Sequence, residues 1–189
     1  MLGLQRYQTM LDQRAPAYPA LVRNVVPKPV PLTLLTDILR RLVEEGVSIR
    51  PLREILESLA VHAANDRDPV VLTEFVRSGL KRQITNAYLI DGTLSVYMLD
   101  PAIEETVRDS IQRTTAGAFL ALQPDIAKDI VGRVKRAVAG AEQPLLLTQA
   151  DVRRFVRRLI EIEVPNATVL SYQELSADIK LRPIAQITI

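Results

Sequence analysis

The sequence predicts an α+β protein, with a helical part over residues 1–84 followed by an α/β part over residues 85–189 that carries a small mixed sheet. Three observations predict it. Apolar residues recur at spacings of three and four through most of the first 84 positions, which is the helical period. After Asp91-Gly92 the spacing changes to two, the strand period. Beyond that, short apolar runs alternate with helical stretches, as strands joined by helices do. With 189 residues, 48% hydrophobic and 24% charged, the chain has the composition of a folded protein and can bury roughly 70% of its unfolded surface.

Residues 4–14 read as a lead helix. The next stretch holds Pro16, Pro19, Pro27, Pro29 and Pro31, whose rings fix φ and remove donors, so an extended strap or hinge is expected there. Over residues 31–45, Leu32, Leu35, Ile38, Leu39, Leu42 and Val43 form one face of a helix that Gly46 is placed to end. Ser48 is the expected cap of a second helix, with Pro51 in its first turn and Leu52, Ile55, Leu56 and Leu59 inside. Asp68-Pro69 joins an N-cap to the proline favoured at the first helical position. It opens a third helix through Leu72, Phe75, Val76, Leu80 and Ile84.

In the second part, Asp91-Gly92 is a turn signal, and Leu94, Val96 and Met98 alternate with Ser95 and Tyr97 as in a strand. Asp100-Pro101 repeats the capping device for a helix with Ile103, Val107 and Ile111 inward. A further helix fits Pro124 to Val138, with Ile126, Ile130, Val131, Val134 and Val138 on one side. Leu145-Leu146-Leu147 reads as a buried strand, and Thr148 with Asp151 as a T-x-x-D cap for the helix VRRFVRRLI. Residues 168–172 and 183–189 supply the last strands.

Lys and Arg total 24 against 22 Asp and Glu, for a net charge of +2, which is too balanced for a basic nucleic-acid tail. The absence of Cys rules out disulfides, thiolate zinc sites and cysteine nucleophiles. No apolar run approaches the ~18 residues that span a bilayer, and the start lacks a signal-peptide profile, so a soluble chain is expected. His62 is the only histidine. Asp66 lies one helical turn on and can orient it, but no nucleophile accompanies the pair, and a helix-end histidine facing the last carbonyls is the reading preferred. No catalytic residue, metal ligand or cofactor site is assigned. Glu44/Glu45, Glu104/Glu105 and Glu161/Glu163 read as solvated or cap charges. The seven glycines never cluster into a phosphate-binding loop.

Two charged faces remain. Arg153, Arg154, Arg157 and Arg158 are read as one face of a helix anchored by Val152, Phe155, Val156, Leu159 and Ile160. With nearby Asp151, Glu161 and Glu163 and few aromatics, a solvated or protein-docking face is favoured, and a nucleic-acid-binding helical module is the alternative. The other face spans the helices of 31–60: Arg40, Arg41, Glu44, Glu45, Arg50, Arg53, Glu54 and Glu57. Its mixed signs suit either plain solubility or complementary pairing with another copy of the chain.

Read in order, the segments LGLQRYQTMLDQ, VPKPVPLTLLTDILRRLVEEGVSIRPLREILESLA, LKRQI, LDPAIEETVRDSI, LLLTQADVRRFVRRLIE and VLSYQEL resemble the cytosolic domain of the export-gate family of bacterial type III secretion and flagellar export. The resemblance covers nearly the whole chain. It implies a helical, winged-helix-like third subdomain at residues 1–84 and an α/β fourth subdomain at 85–189. It further implies the cytoplasmic part of an inner-membrane protein whose membrane spans, first subdomain and inserted ferredoxin-like subdomain lie outside this chain. In that family the cytosolic domains form a nonameric ring with lateral contacts through the third subdomain, receive substrates and chaperones, and meet the ATPase stalk around the fourth. Ring contacts are thereby expected of Arg40, Arg41, Glu44, Glu45, Arg50, Arg53 and Glu57, with Arg41 and Glu45 the first to reverse. Arg153, Arg154, Arg157 and Arg158 are the protein-docking candidates, and no nucleic acid is expected as a partner. Pro51 and Gln123 depart from the family's local capping pattern. Chaperone contacts in flagellar relatives lie at the junction of the two subdomains outside this chain, so none is assigned.

Overall fold

The computed structural model describes residues 3–189. The chain divides into two compact units, Met1–Ile84 and Thr85–Ile189.

The first unit is helical, and its described residues contain no strand, so a winged-helix likeness rests on its helices alone. Helix α1 (Leu4–Arg14) packs on α3 (Leu32–Glu44) through Tyr7 and Leu11. The proline-rich stretch departs from the extended strap expected of it: a 3-10 turn at Ala15–Ala17 leads into helix α2 (Pro19–Val25). The reason is local, since Pro19 stands at a helix start, where a missing N–H costs nothing. Val25 and Val30 are buried at either end of the two following prolines. α3 buries Leu35, Ile38, Leu39 and Leu42, while Val43, expected inside, is exposed. It closes as a Schellman motif: Gly46 N–H donates to the Val43 carbonyl at 3.0 Å and Val47 N–H to the Leu42 carbonyl at 2.9 Å, with Gly46 at φ 73°.

Helix α4 (Leu52–His62) begins later than the sequence suggests. Ser48 does not cap it; its hydroxyl accepts from Arg50 N–H at 3.2 Å, because the residue before Pro51 is pushed out of the helical region. α5 (Pro69–Gly79) starts as its Asp-Pro step requires, with Asp68 Oδ1 accepting from Val70 N–H at 2.9 Å. It packs on both α3 and α4. Phe75, expected in the core, lies on the outer side instead, stacked on His62 at 4.0 Å between centroids. Helix α6 (Lys81–Asn86) follows.

In the second unit, Asp91 and Gly92 both take positive φ, 50° and 72°, the demand of a type I′ turn. The four-stranded sheet has the order β5-β4-β1-β6, from β1 (Thr93–Leu99), β4 (Leu145–Thr148), β5 (Thr168–Ser171) and β6 (Lys180–Ile187). All its pairings are parallel. The antiparallel pairing forms a separate ribbon, β2 (Ile111–Thr114) with β3 (Gly117–Leu120). Ile111 therefore belongs to a strand and not to the preceding helix. Three helices make the crossovers: α7 (Pro101–Asp109), α8 (Pro124–Ala137) and α9 (Ala150–Ile160). Their inward residues, including Ile103, Val107, Ile130, Val134, Val152 and Val156, pack on Tyr97, Leu99, Leu146 and Val169 of the sheet. Ile126, expected on the inner side of α8, is exposed.

Candidate functional site

The arginine helix is where sequence and structure part most. On α9, Arg153 follows Val152 but precedes Ile160 by seven residues, so at 3.6 residues per turn the two lie only about 20° apart. Its side chain is 0% exposed. The guanidinium pairs with Glu174, itself 1% exposed, at 3.3 Å, and donates to the Val169 carbonyl of β5 at 3.0 Å. Arg153 is thus withdrawn from the docking face assigned to it. Arg154 lies over the Phe155 ring at 4.7 Å and Arg157 is mostly covered beside Glu161. Only Arg158 stands out, 82% exposed and 3.3 Å from Glu161. A nucleic-acid-reading face of four cations does not exist here.

The start of α9 also differs from its predicted cap. Thr148 does not cap it; its hydroxyl donates to Glu104 Oε2 at 2.7 Å, and Gln149 N–H donates to the same oxygen at 2.6 Å. Glu104, read from sequence as a solvated charge, is 7% exposed. A carboxylate from α7 therefore sits at the positive end of α9. Asp151 turns outward to Arg108 on α7, and this hydrogen bond holds the Asp151 carboxyl below its usual range. Asp151 and Glu105 together raise Arg108. Burial and the nearby Glu104 charge raise the Tyr172 phenol. Glu104→Gln keeps an acceptor but removes the charge. It is expected to cost about 1–2 kcal/mol, read as a lowered urea midpoint with hydrogen exchange accelerated at the start of α9.

In the first unit the mixed-charge face is partly spoken for. Arg77, 1% exposed on α5, has Glu45 at 3.5 Å among its partners, which draws Glu45 inward from the face assigned to it. Arg41 pairs with Asp37 at 3.2 Å. Arg40 also pairs with Asp37, at 2.8 Å, and that hydrogen bond raises its pKa. Arg40 and Glu44 remain exposed on α3, 4.0 Å apart. Arg53 and Glu57 are exposed on α4 and 2.9 Å apart. Arg50 is exposed, and its carbonyl accepts from Arg14 at 2.6 Å.

His62 ends α4, but its ring, expected to face the last carbonyls, stacks on Phe75 instead; its own backbone carbonyl accepts from Asn65 and Asp66 N–H. The Asp66 carboxylate accepts from Asp68 N–H at 2.9 Å. No cluster of three or more potential metal ligands occurs among the described residues, and no helix among them is long and apolar enough to cross a membrane. Sequence reasoning missed Arg77, Glu104 and Glu174 as buried charges. For Arg77 a signal existed, since it falls between the buried Thr73 and Leu80 on one helical stripe.

A family model described as the FHIPEP family matches residues 1–180. Protein HrpC2 of Xanthomonas euvesicatoria is 42% identical over 191 residues, which is 100% of this chain and 30% of that protein. In the structure of the Chlamydia pneumoniae CdsV and CdsO protein complex, one chain is similar over 99% of this one and 56% of its own length, with TM-score 0.90 and 43% identity. The cryo-EM structure of the nonameric EscV cytosolic domain from the type III secretion system is similar over 99% of this chain and 56% of its own, with TM-score 0.87 and 35% identity. The chain thus spans under a third of the curated relative and just over half of the solved chains.

Proposed function

The chain belongs to the FHIPEP family, and from that membership we propose that it is the ring-forming and docking module of a type III secretion export gate. In this reading it lies on the cytoplasmic side of a bacterial inner membrane, held there by parts of the protein outside this chain. It works by binding other proteins, with no reaction of its own. The observation that carries the proposal is the likeness, across both units, to a cytosolic domain that is nonameric in its solved form. Unit 1 supplies lateral contacts between copies, and unit 2 faces soluble export components such as substrates, chaperones and the ATPase stalk. The CdsV and CdsO complex is in keeping with a protein partner for this region.

The charges still exposed after folding define the ring face: Arg40 and Glu44 on α3, Arg50 in the connection, Arg53 and Glu57 on α4. A head-to-tail contact in a closed ring brings one patch against a different one, so opposite signs must meet. Arg53→Glu and Glu57→Arg are each expected to weaken assembly of the full cytosolic domain about fivefold at low salt, with the difference shrinking as salt rises. The double swap keeps an intrahelical pair and still assembles poorly. Sedimentation velocity with electron microscopy tests this. Ninefold rings are the expected wild-type result, and a cytosolic domain that never associates would overturn the reading. Rings unchanged in all three variants would remove this face from the contact.

A further inference from the structure

One face of the second unit's sheet is only half covered. Tyr97 and Leu99 of β1 are buried in the core beneath the crossover helices. Thr93 and Ser95 share that face by the two-residue repeat of a strand, yet they line an open groove of about 340 Å³. Its walls are the 87–90 segment, the 141–145 turn and Ile184. Of its lining residues, Ile90 is 76% exposed and Ile184 is 50% exposed.

β6, an edge strand, contributes Ile184 to the lining, and its first residues flank the groove. It pairs in parallel with Thr93 opposite Lys180 and Ser95 opposite Arg182, and paired residues of neighbouring strands project to the same face. The register then shifts between Val96 and Tyr97, so Ile184 is an additional residue of β6, and it reaches the groove while Lys180 and Arg182 stand just outside its lining. Lys180 and Arg182 are exposed. No ion pair engages either of them among the described residues, whereas Arg133, Lys135 and Arg158 of the same unit are each paired.

We propose that this groove docks an extended, acidic segment of a partner protein, laid on Thr93 and Ser95 with its carboxylates toward Lys180 and Arg182. A floor formed by strand β1 suits an extended backbone. Ile90 and Ile184 call for apolar side chains at the segment's two ends. The two unpaired cations supply the charge complementarity that fixes its sign. Glu142 on the opposite wall sets its direction, since it repels an acidic side chain placed there, and it disfavours the continuous phosphates of a nucleic acid. The inference goes beyond the ring reading, because the groove lies wholly within unit 2 and needs no second copy.

The test is selection of a random octapeptide display library on the chain as it stands and on Lys180→Glu/Arg182→Glu. Peptides rich in Asp and Glu beside Val, Ile or Leu are expected on the wild type, and basic ones on the reversed variant. An enriched peptide, synthesised and titrated, should bind about fivefold more weakly to Lys180→Ala/Arg182→Ala, as two lost exposed charge contacts imply. Ile184→Ser should also weaken it. All these side chains are exposed, so the variants should keep the wild-type unfolding midpoint, which is measured alongside. Absence of enrichment, or the same acidic peptides on the reversed variant, would overturn the proposal. Either result leaves ring assembly by the full cytosolic domain untouched and separately measurable.

Discussion

Arg153→Ala is expected to destabilise the second unit by about 3–5 kcal/mol, the cost of leaving a buried charge without its partner. Arg153 and Glu174 are both withdrawn from water, so the remaining carboxylate cannot recover its hydration by turning outward. The substitution also removes a donor to Val169 on β5 and the packing of a long side chain beneath α9. Hydrogen exchange should show protection lost across α9, β4 and β5, with a thermal midpoint lower by on the order of 15 °C. Arg153→Lys should rescue little, because an ammonium lacks the planar fork that serves a carboxylate and a carbonyl together. Arg153→Met/Glu174→Met removes both charges at nearly constant volume and should recover most of the loss. Equal stability of the alanine variant and the wild type would show that the pair contributes nothing.

Arg77→Ala carries the second largest effect, about 2–4 kcal/mol in the first unit. The figure is smaller because Glu45, 22% exposed, keeps some contact with water. The arginine joins α5 to the C-terminal end of α3, where a cation also meets the negative end of the helix dipole. Exchange should therefore accelerate at 42–51, around the Schellman turn, before it does elsewhere in the unit. Reversing Glu45 would place two cations together and damage folding before assembly, so a ring defect in that variant would say nothing about a lateral contact. A surface-like loss below about 0.5 kcal/mol in Arg77→Ala would contradict this account.

Local chemistry made much of the fold legible. The Asp68-Pro69 and Asp100-Pro101 steps each yielded a capped helix, Gly46 ended α3, and Asp91-Gly92 turned the chain into β1. These signals act within a few residues, so a sequence states them completely. Side-chain direction was less legible. The sequence shows that Arg153, Arg154, Arg157 and Arg158 lie near one another on a helix. Only tertiary packing shows that Glu174, twenty-one positions after Arg153, waits beneath the first of them. Glu104 read as a surface charge for the same reason: its partners, Thr148 and Gln149, lie more than forty residues away. The β2–β3 ribbon escaped because IQRT and GAFL are too short and too mixed for a period of two to emerge. The exposed charges of α3 and α4 were identified correctly as charged and helical, but their division between internal pairs and free surface depends on Arg77, a residue the pattern did not single out.

The central strand β1 has β4 on one flank and β6 on the other, and β6 begins at Lys180, opposite Thr93. During synthesis β1 emerges before the other three strands of its sheet, acquires its first neighbour about fifty residues later and its second only near residue 180. At ribosomal speeds of roughly 5–20 residues per second the second flank stays vacant for on the order of ten seconds. Over that interval the nascent polypeptide displays an unsatisfied ladder of amides and carbonyls, the template on which strangers polymerise. Cellular folding factors that shield this flank, or slow pairing with it, would govern how much of the newly made protein escapes aggregation.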